Sequence, residues 1–237
     1  MFTAKVQYNA ANSEFELLDQ EGLMICPSIA YGFEWTPIPS NEAVFIQVWS
    51  TALPEAQVIS LINEQGKAVG WLCTVSALTS TAHEFVTSPH FRAGAGHAMQ
   101  VLLENESVQT ALKKEARPTI DIFPSGACIF IAKKNLISAD MSSNPHKILA
   151  LLHRYGFSQY TFGEKNNRTA GKFATQNLKR DGKEIRKLKL QITSDAVPFL
   201  NFVNNLLLEP LSKNQDAAYT FFLYYQIIEL LMEDVQR

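Results

Sequence analysis

The stretch VISLINEQGKAVGWLCTV, Val58 to Val75, decides the fold. Val58 to Ile62 and Ala68 to Val75 are short runs rich in β-branched and large apolar residues. Between them, Glu64-Gln65-Gly66-Lys67 supplies a turn in which Gly66 can take a positive φ. Strands joined by so short a link pair antiparallel. The spacing therefore predicts a hairpin as the seed of an antiparallel sheet.

Upstream, Val44 to Trp49 reads as a further strand, and the first 90 residues alternate short β-rich runs with Pro, Asn and Gly breaks. Downstream, a helix is expected after Gly94 and Gly96, with Ala98, Val101, Val108 and Leu112 on one face, Lys113 and Lys114 at its negative end, and Pro118 beyond. Thr119 to Phe123 and Cys128 to Ala132 read as strands around Pro124-Ser125-Gly126. In NPHKILALLHRYGF, Asn144 to Phe157, Asn144 can cap a helix whose first position suits Pro145. Ile148, Leu151, Leu152 and Tyr155 share one face of it, and Gly156 can provide the left-handed stop. The class predicted is α+β: a mainly antiparallel mixed sheet with packed helices in residues 1–192, and a C-terminal helical extension in 193–237.

Composition fits a folded chain, with 46% hydrophobic and 19% charged residues over 237 positions. No basic segment followed by an apolar run opens the sequence, so no cleaved secretory signal is visible. Cys26, Cys73 and Cys128 are odd in number and widely spaced, which reads as reduced core thiols and a cytoplasmic setting. Motifs of common hydrolases, the phosphate-binding loop and His-Glu-x-x-His are absent. His83, His90 and His97 recur every seven residues, but Pro89 interrupts any helix that would align them, and no metal is expected.

Net charge is only -2, yet Lys165 to Lys189 carries nine Lys or Arg against Asp181 and Glu184, a local +7. Asp181-Gly182 is a favoured hairpin turn between Lys172 to Arg180 and Lys183 to Ile192. Leu188, Leu190 and Ile192 then point to one side while Lys189 and Gln191 point to the other. Lys172, Lys179, Arg180, Lys183, Arg186 and Lys187 are the candidate contacts for an anionic partner, of which a nucleic acid is one option. A solvated hairpin docked on an acidic protein surface is the other.

Two helices close the chain. The first runs from about Asp195 to Glu209, with Phe199, Val203, Leu206 and Leu207 available for packing, and Ser212 with Gln215 resembles a capping box for the second. From Ala217 to Met232 only Thr220, Gln226 and Glu229 are polar, so this helix requires burial on several sides. The apolar run is shorter than the roughly 20 residues that span a bilayer and contains Glu229, so a protein contact is expected instead of a membrane. Phe221, Phe222, Tyr224, Tyr225, Ile228 and Leu231 are its candidate interface, in a homo-oligomer or with another protein.

Phe91-Arg92-Ala93-Gly94-Ala95-Gly96-His97 places small residues before a predicted helix, where free amides and the helix dipole can hold a phosphate. The other reading is that the glycines simply turn the chain into the helix. Val86 to Met99, taken with Asn144 to Phe157, resembles the GNAT acyltransferase family, in which a Gly-rich loop binds the pyrophosphate of acetyl-CoA and a later helix ends in a Tyr-Gly-Phe-like sequence. The resemblance implies acetyl-CoA held by Arg92, Gly94, Gly96 and His97, with Tyr155 as the general acid that reprotonates the departing thiolate. A second stretch, AAYTFFLYYQIIELLMEDV from Ala217 to Val235, resembles the opening helical part of HEPN-like domains in bacterial defence proteins. No His follows His153, so the RNase pattern of that family is not implied.

Two functions follow as expectations. One is a non-catalytic interaction or regulatory subunit, of a bacterial defence type of complex, with a basic hairpin for an anionic partner, apolar C-terminal helices for assembly, and no cofactor. The other is an N-acyltransferase dependent on acetyl-CoA.

Overall fold

A computed structural model describes residues 4–26, 28–35, 42–50, 53, 57–63, 65–114, 122–137, 139, 142, 148–149, 151–152, 155, 157–163, 179–180, 183–184, 186–189, 202, 206 and 216–235. The expected hairpin stands at its centre as β5 (Val58–Ile62) and β6 (Ala68–Thr74), which pair antiparallel. Gly66 takes φ 77°, and the turn is closed by the Asn63 side chain, which accepts from the Lys67 amide at 2.9 Å. Around this pair lie β4 (Ala43–Trp49), β7 (Ala127–Lys133), β8 (Ser158–Gln159) and β11 (Lys187–Lys189), in the order β11-β5-β6-β7-β4-β8. All neighbours are antiparallel except β11, which runs parallel to β5. The fold is α+β, as expected.

Both faces of this sheet are covered, which explains the near-continuous apolar run ACIFIA in β7. Its odd residues Ala127, Ile129 and Ile131 join Trp49, Trp71 and Cys73 under α1 (Pro89–Glu104) and α2 (Glu106–Lys114). Its even residues Cys128, Phe130 and Ala132 join Val44, Ile46, Val48, Ile59 and Leu61 on the other face, against Ile148, Leu149, Leu152, Phe157 and Leu188. The period-two alternation of a strand thus sorts a single hydrophobic run into two cores.

A second sheet, β1 (Lys5–Asn9), β2 (Glu14–Leu18) and β3 (Ile29–Ala30), is antiparallel and shares the α1 core through Phe15 and Leu17, both fully buried. Its attachment is polar as well as apolar. The buried Gln109 amide accepts from the Ala4 amide at 2.9 Å and donates to Ala4 O at 3.2 Å and Leu103 O at 2.9 Å. Tyr31 Oη donates to the Arg92 carbonyl at 2.9 Å, and Trp35 packs on Gly96 so closely that a Cβ there would overlap the indole.

Several sequence expectations are corrected. The helix begins at Pro89, not after Gly96: Ser88 Oγ accepts from the Phe91 amide at 3.3 Å and Pro89 takes the first helical position. It breaks at Asn105, whose side chain caps α2 by accepting from the Ser107 and Val108 amides, so one predicted helix is two. Ile122 and Phe123 lie in a turn, not a strand, while 119–121 lie outside the described residues. Residues 148–149 and 151–152 are helical and the Phe157 amide closes that helix on Leu152 O, whereas Asn144, Pro145 and Gly156 lie outside the described residues. Of the predicted basic hairpin, β9 (Lys179–Arg180) and β10 (Lys183–Glu184) pair antiparallel, while 172–178, 181–182 and 190–192 lie outside the described residues. The following residues leave that hairpin for the edge of the main sheet as β11.

At the C-terminus, α3 (Ala217–Val235) is capped by Asp216, whose Oδ1 accepts from the Ala218 and Tyr219 amides at 2.8 and 3.2 Å. The predicted cap, Ser212, lies outside the described residues, as do 195–201, 203–205 and 207–210 of the preceding predicted helix. Among the described residues no helix is long and apolar enough to cross a membrane.

Candidate interaction surface

Helix α3 presents two apolar faces of different fate. Thr220, Leu223, Ile227 and Leu230 recur at three- and four-residue spacing along one face and are at least half buried, with Leu223 only 3% exposed. On the opposite face Phe221, Tyr225, Ile228 and Met232, spaced four, three and four apart, are 72%, 48%, 53% and 57% exposed. Phe222 and Tyr224 flank that stripe and are exposed too. Leaving large rings in water forgoes burial worth about 1.5–3 kcal/mol for each full side chain, and a stripe this continuous is unlike the scattered apolar residues of an ordinary surface.

Five of the six predicted interface residues therefore lie exposed on α3, and the sixth, Leu231, has a side chain outside the described residues. Sequence reasoning missed Tyr219, 49% exposed, and Met232. The signal for Met232 was present in the four-three-four spacing. Tyr225 also hydrogen-bonds Glu229, whose carboxylate pushes the phenol pKa up.

The basic segment reaches the main sheet at Arg186. Its carbonyl accepts from the Ser60 amide at 3.0 Å, and Leu188 is buried while Arg186, Lys187 and Lys189 are exposed. The predicted alternation thus holds at Leu188. Lys179, Arg180 and Lys183 lie in the β9–β10 hairpin, and Lys172 lies outside the described residues. Beside Arg186, Gln57, Val58, Ala82, His83, Glu84 and Phe85 line a cleft of about 260 Å³.

The residues proposed to hold a pyrophosphate are arranged for a different task. Gly94 and Gly96 are buried in the second turn of α1, where each amide is past the free N-terminal turn and is spent within the helix. They serve close packing, Gly94 against Ile131 and Gly96 against Trp35. His97 is buried and desolvation holds its pKa below the ordinary imidazole value, partly offset by Glu104. The Arg92 carbonyl is engaged by Tyr31. Tyr155, the proposed general acid, is half-buried against the core on the opposite side of the sheet from α1. Tyr155 thus lies across the sheet from Arg92, Gly94, Gly96 and His97, which are neighbours in α1.

His83, His90 and His97 also diverge. His83 Nε2 lies 3.2 Å from Ala77 O, His90 Nδ1 lies 3.1 Å from Lys133 Nζ, and His97 sits in the α1 core. Among the described residues no group of three His, Cys, Asp or Glu side chains is placed to hold a metal ion. The three thiols are buried and form no disulfide, and burial raises their pKa, for Cys128 to about 12, which disfavours the thiolate.

Compared with known proteins, the chain matches no family model, no curated protein and no solved structure.

Proposed function

We propose that this chain is a non-catalytic interaction or regulatory subunit that assembles through α3 and offers its basic hairpin to an anionic partner. The observation that carries the reading is the exposed stripe Phe221, Tyr225, Ile228 and Met232, set opposite a face that the chain buries for itself. A helix with its inner face satisfied and its outer face aromatic is suited to holding a second surface. The resemblance of the same helix to HEPN-like domains supports a defence-type complex as the setting. Arg186, Lys187 and Lys189, exposed on and beside the sheet edge, supply a cationic rim suited to phosphate or carboxylate groups.

The test is the mass of the tagged chain isolated from its native cells. Wild type is expected in a complex larger than the 26.5 kDa monomer, and Phe221→Glu with Ile228→Glu is expected to fold and run as a monomer. A monodisperse monomer for both proteins would overturn the reading. Charge reversal at Arg186 and Lys187 is expected to weaken binding of an anionic partner and flatten its salt dependence.

A further inference from the structure

The four-three-four spacing on α3 carries more than exposure. In a pair of supercoiled helices, residues at that spacing form one continuous seam, and each side chain inserts between residues of the facing helix. The described side chains of α3 supply one such seam, Phe221, Tyr225, Ile228 and Met232, along a helix of 19 residues. What it pairs with is constrained by shape and by charge.

Shape favours the same seam reversed. With two copies antiparallel about a point between Tyr225 and Ile228, Phe221 faces Met232 and Tyr225 faces Ile228, each contact then occurring twice by symmetry. Every layer holds one ring and one slimmer aliphatic chain, which fills space evenly. A parallel pair would instead set ring on ring in two layers and aliphatic on aliphatic in the other two.

Charge points the same way. Between Ala217 and Val235 the helix has no Lys, Arg or His, and its acidic residues Glu229, Glu233 and Asp234 all lie in the C-terminal half. Parallel pairing aligns these residues with their own copies and gains nothing in return. Antiparallel pairing separates them from their own copies.

The area is at the lower end of what a specific interface uses. The exposed parts of Phe221, Phe222, Tyr224 and Tyr225 amount to roughly 400 Å² of ring surface, and Ile228 and Met232, each more than half exposed, bring the face to roughly 600 Å² per partner. A standard interface buries about 800 Å² per partner.

We propose that Phe221, Tyr225, Ile228 and Met232 form a seam that pairs antiparallel with the same seam of a second copy of this chain. The proposal rests on the assembly reading above and adds the identity and orientation of the partner.

The experiment uses two full-length variants, Phe221→Cys and Met232→Cys, one carrying a tag that shifts its mass. The native thiols of Cys26, Cys73 and Cys128 are buried and do not compete. Under mild oxidation the mixture is expected to give mainly the tagged–untagged dimer, with several-fold less from either variant alone. In parallel, sedimentation of the wild-type chain should show a dimer, and Ile228→Glu should weaken it by about 30-fold or more. Self-linked dimers as abundant as the mixed species would overturn the antiparallel orientation. A wild-type monomer at tens of micromolar, with no cross-link above background, would overturn self-pairing altogether. Neither failure touches the assembly reading, which stands or falls on the mass of the complex from native cells.

Discussion

Helices α1 and α3 have similar lengths, 16 and 19 residues, and opposite relations to the protein. α1 is built largely from Ala, Gly, His and polar residues, yet it buries Gly94, Ala95, Gly96, His97, Ala98 and Met99 in an unbroken run. α3 is far more apolar, yet Leu223 alone is fully buried among its described side chains. The contrast separates hydrophobicity from burial. α1 is buried because Gly94 and Gly96 let Ile131 of β7 and Trp35 come close, while α3 keeps its outer rings exposed.

The contrast breaks most severely where α1 is made large. Gly96→Leu would drive a side chain into the Trp35 indole, and overpacking of that kind is expected to cost about 3 kcal/mol. For a chain of this size that lowers Tm by roughly 6–12 °C. Thermal melts of Gly96→Leu and of the double variant with Trp35→Ala check it, since partial recovery in the double variant identifies the clash as the cause. Were the glycines part of a phosphate loop, the substitution would leave the melt nearly unchanged.

Next in size is the polar clip that holds the N-terminal sheet to the elbow between α1 and α2. Gln109→Leu keeps the volume but strands the Ala4 amide and two buried carbonyls, at an expected cost of about 2–3 kcal/mol. Urea unfolding measures it. Hydrogen exchange should show the loss first at β1 and β2, because they are the elements released.

How much of this was legible in the sequence depends on how local the cause is. The β5–β6 hairpin and the β9–β10 pairing were readable because the paired segments are close in sequence and Gly66 sits where the first turn needs positive φ. The parallel pairing of β11 with β5 was not, since Leu188 and Leu61 are brought together only by the closed fold. The start of α1 was available in Ser88-Pro89, a cap followed by a first-turn proline, but Gly94 and Gly96 carry the stronger breaker signal, and they pack on Ile131 and Trp35, both distant in sequence. The apolar character of α3 was plain, whereas which side of it remains exposed follows from packing around Leu223.

A smaller effect distinguishes the interior of α1 by pH. Burial holds His97 below its unfolded value, so the unfolded chain takes up the proton first as the medium is acidified. The contribution is full above about pH 6.5, the unfolded value, and is lost as pH falls toward the folded pKa. Stability of the wild type should therefore drop below pH 6.5 more steeply than that of His97→Gln. Equal slopes in urea titrations of the two proteins from pH 7.5 to 5 would show that His97 is not a buried neutral base.

The smallest effect on folding, that of Phe221→Glu, and the sharpest test of the comparison lie within α3 itself. Leu223→Ala removes a side chain that is 3% exposed and should cost about 2 kcal/mol or more. Phe221→Glu, two residues away, replaces a ring that is 72% exposed, and in dilute solution it should change the stability of the single chain by no more than about 0.5 kcal/mol. At high concentration the order is expected to invert for assembly, because a charge within an apolar seam disrupts the pair while a cavity behind the helix leaves the seam in place. A urea midpoint that moves with protein concentration for the wild type and for Leu223→Ala, but not for Phe221→Glu, would locate assembly on the outer face of α3. A midpoint independent of concentration in all three would mean that those rings serve no self-contact, and the exposed stripe would then have to be matched by a different protein.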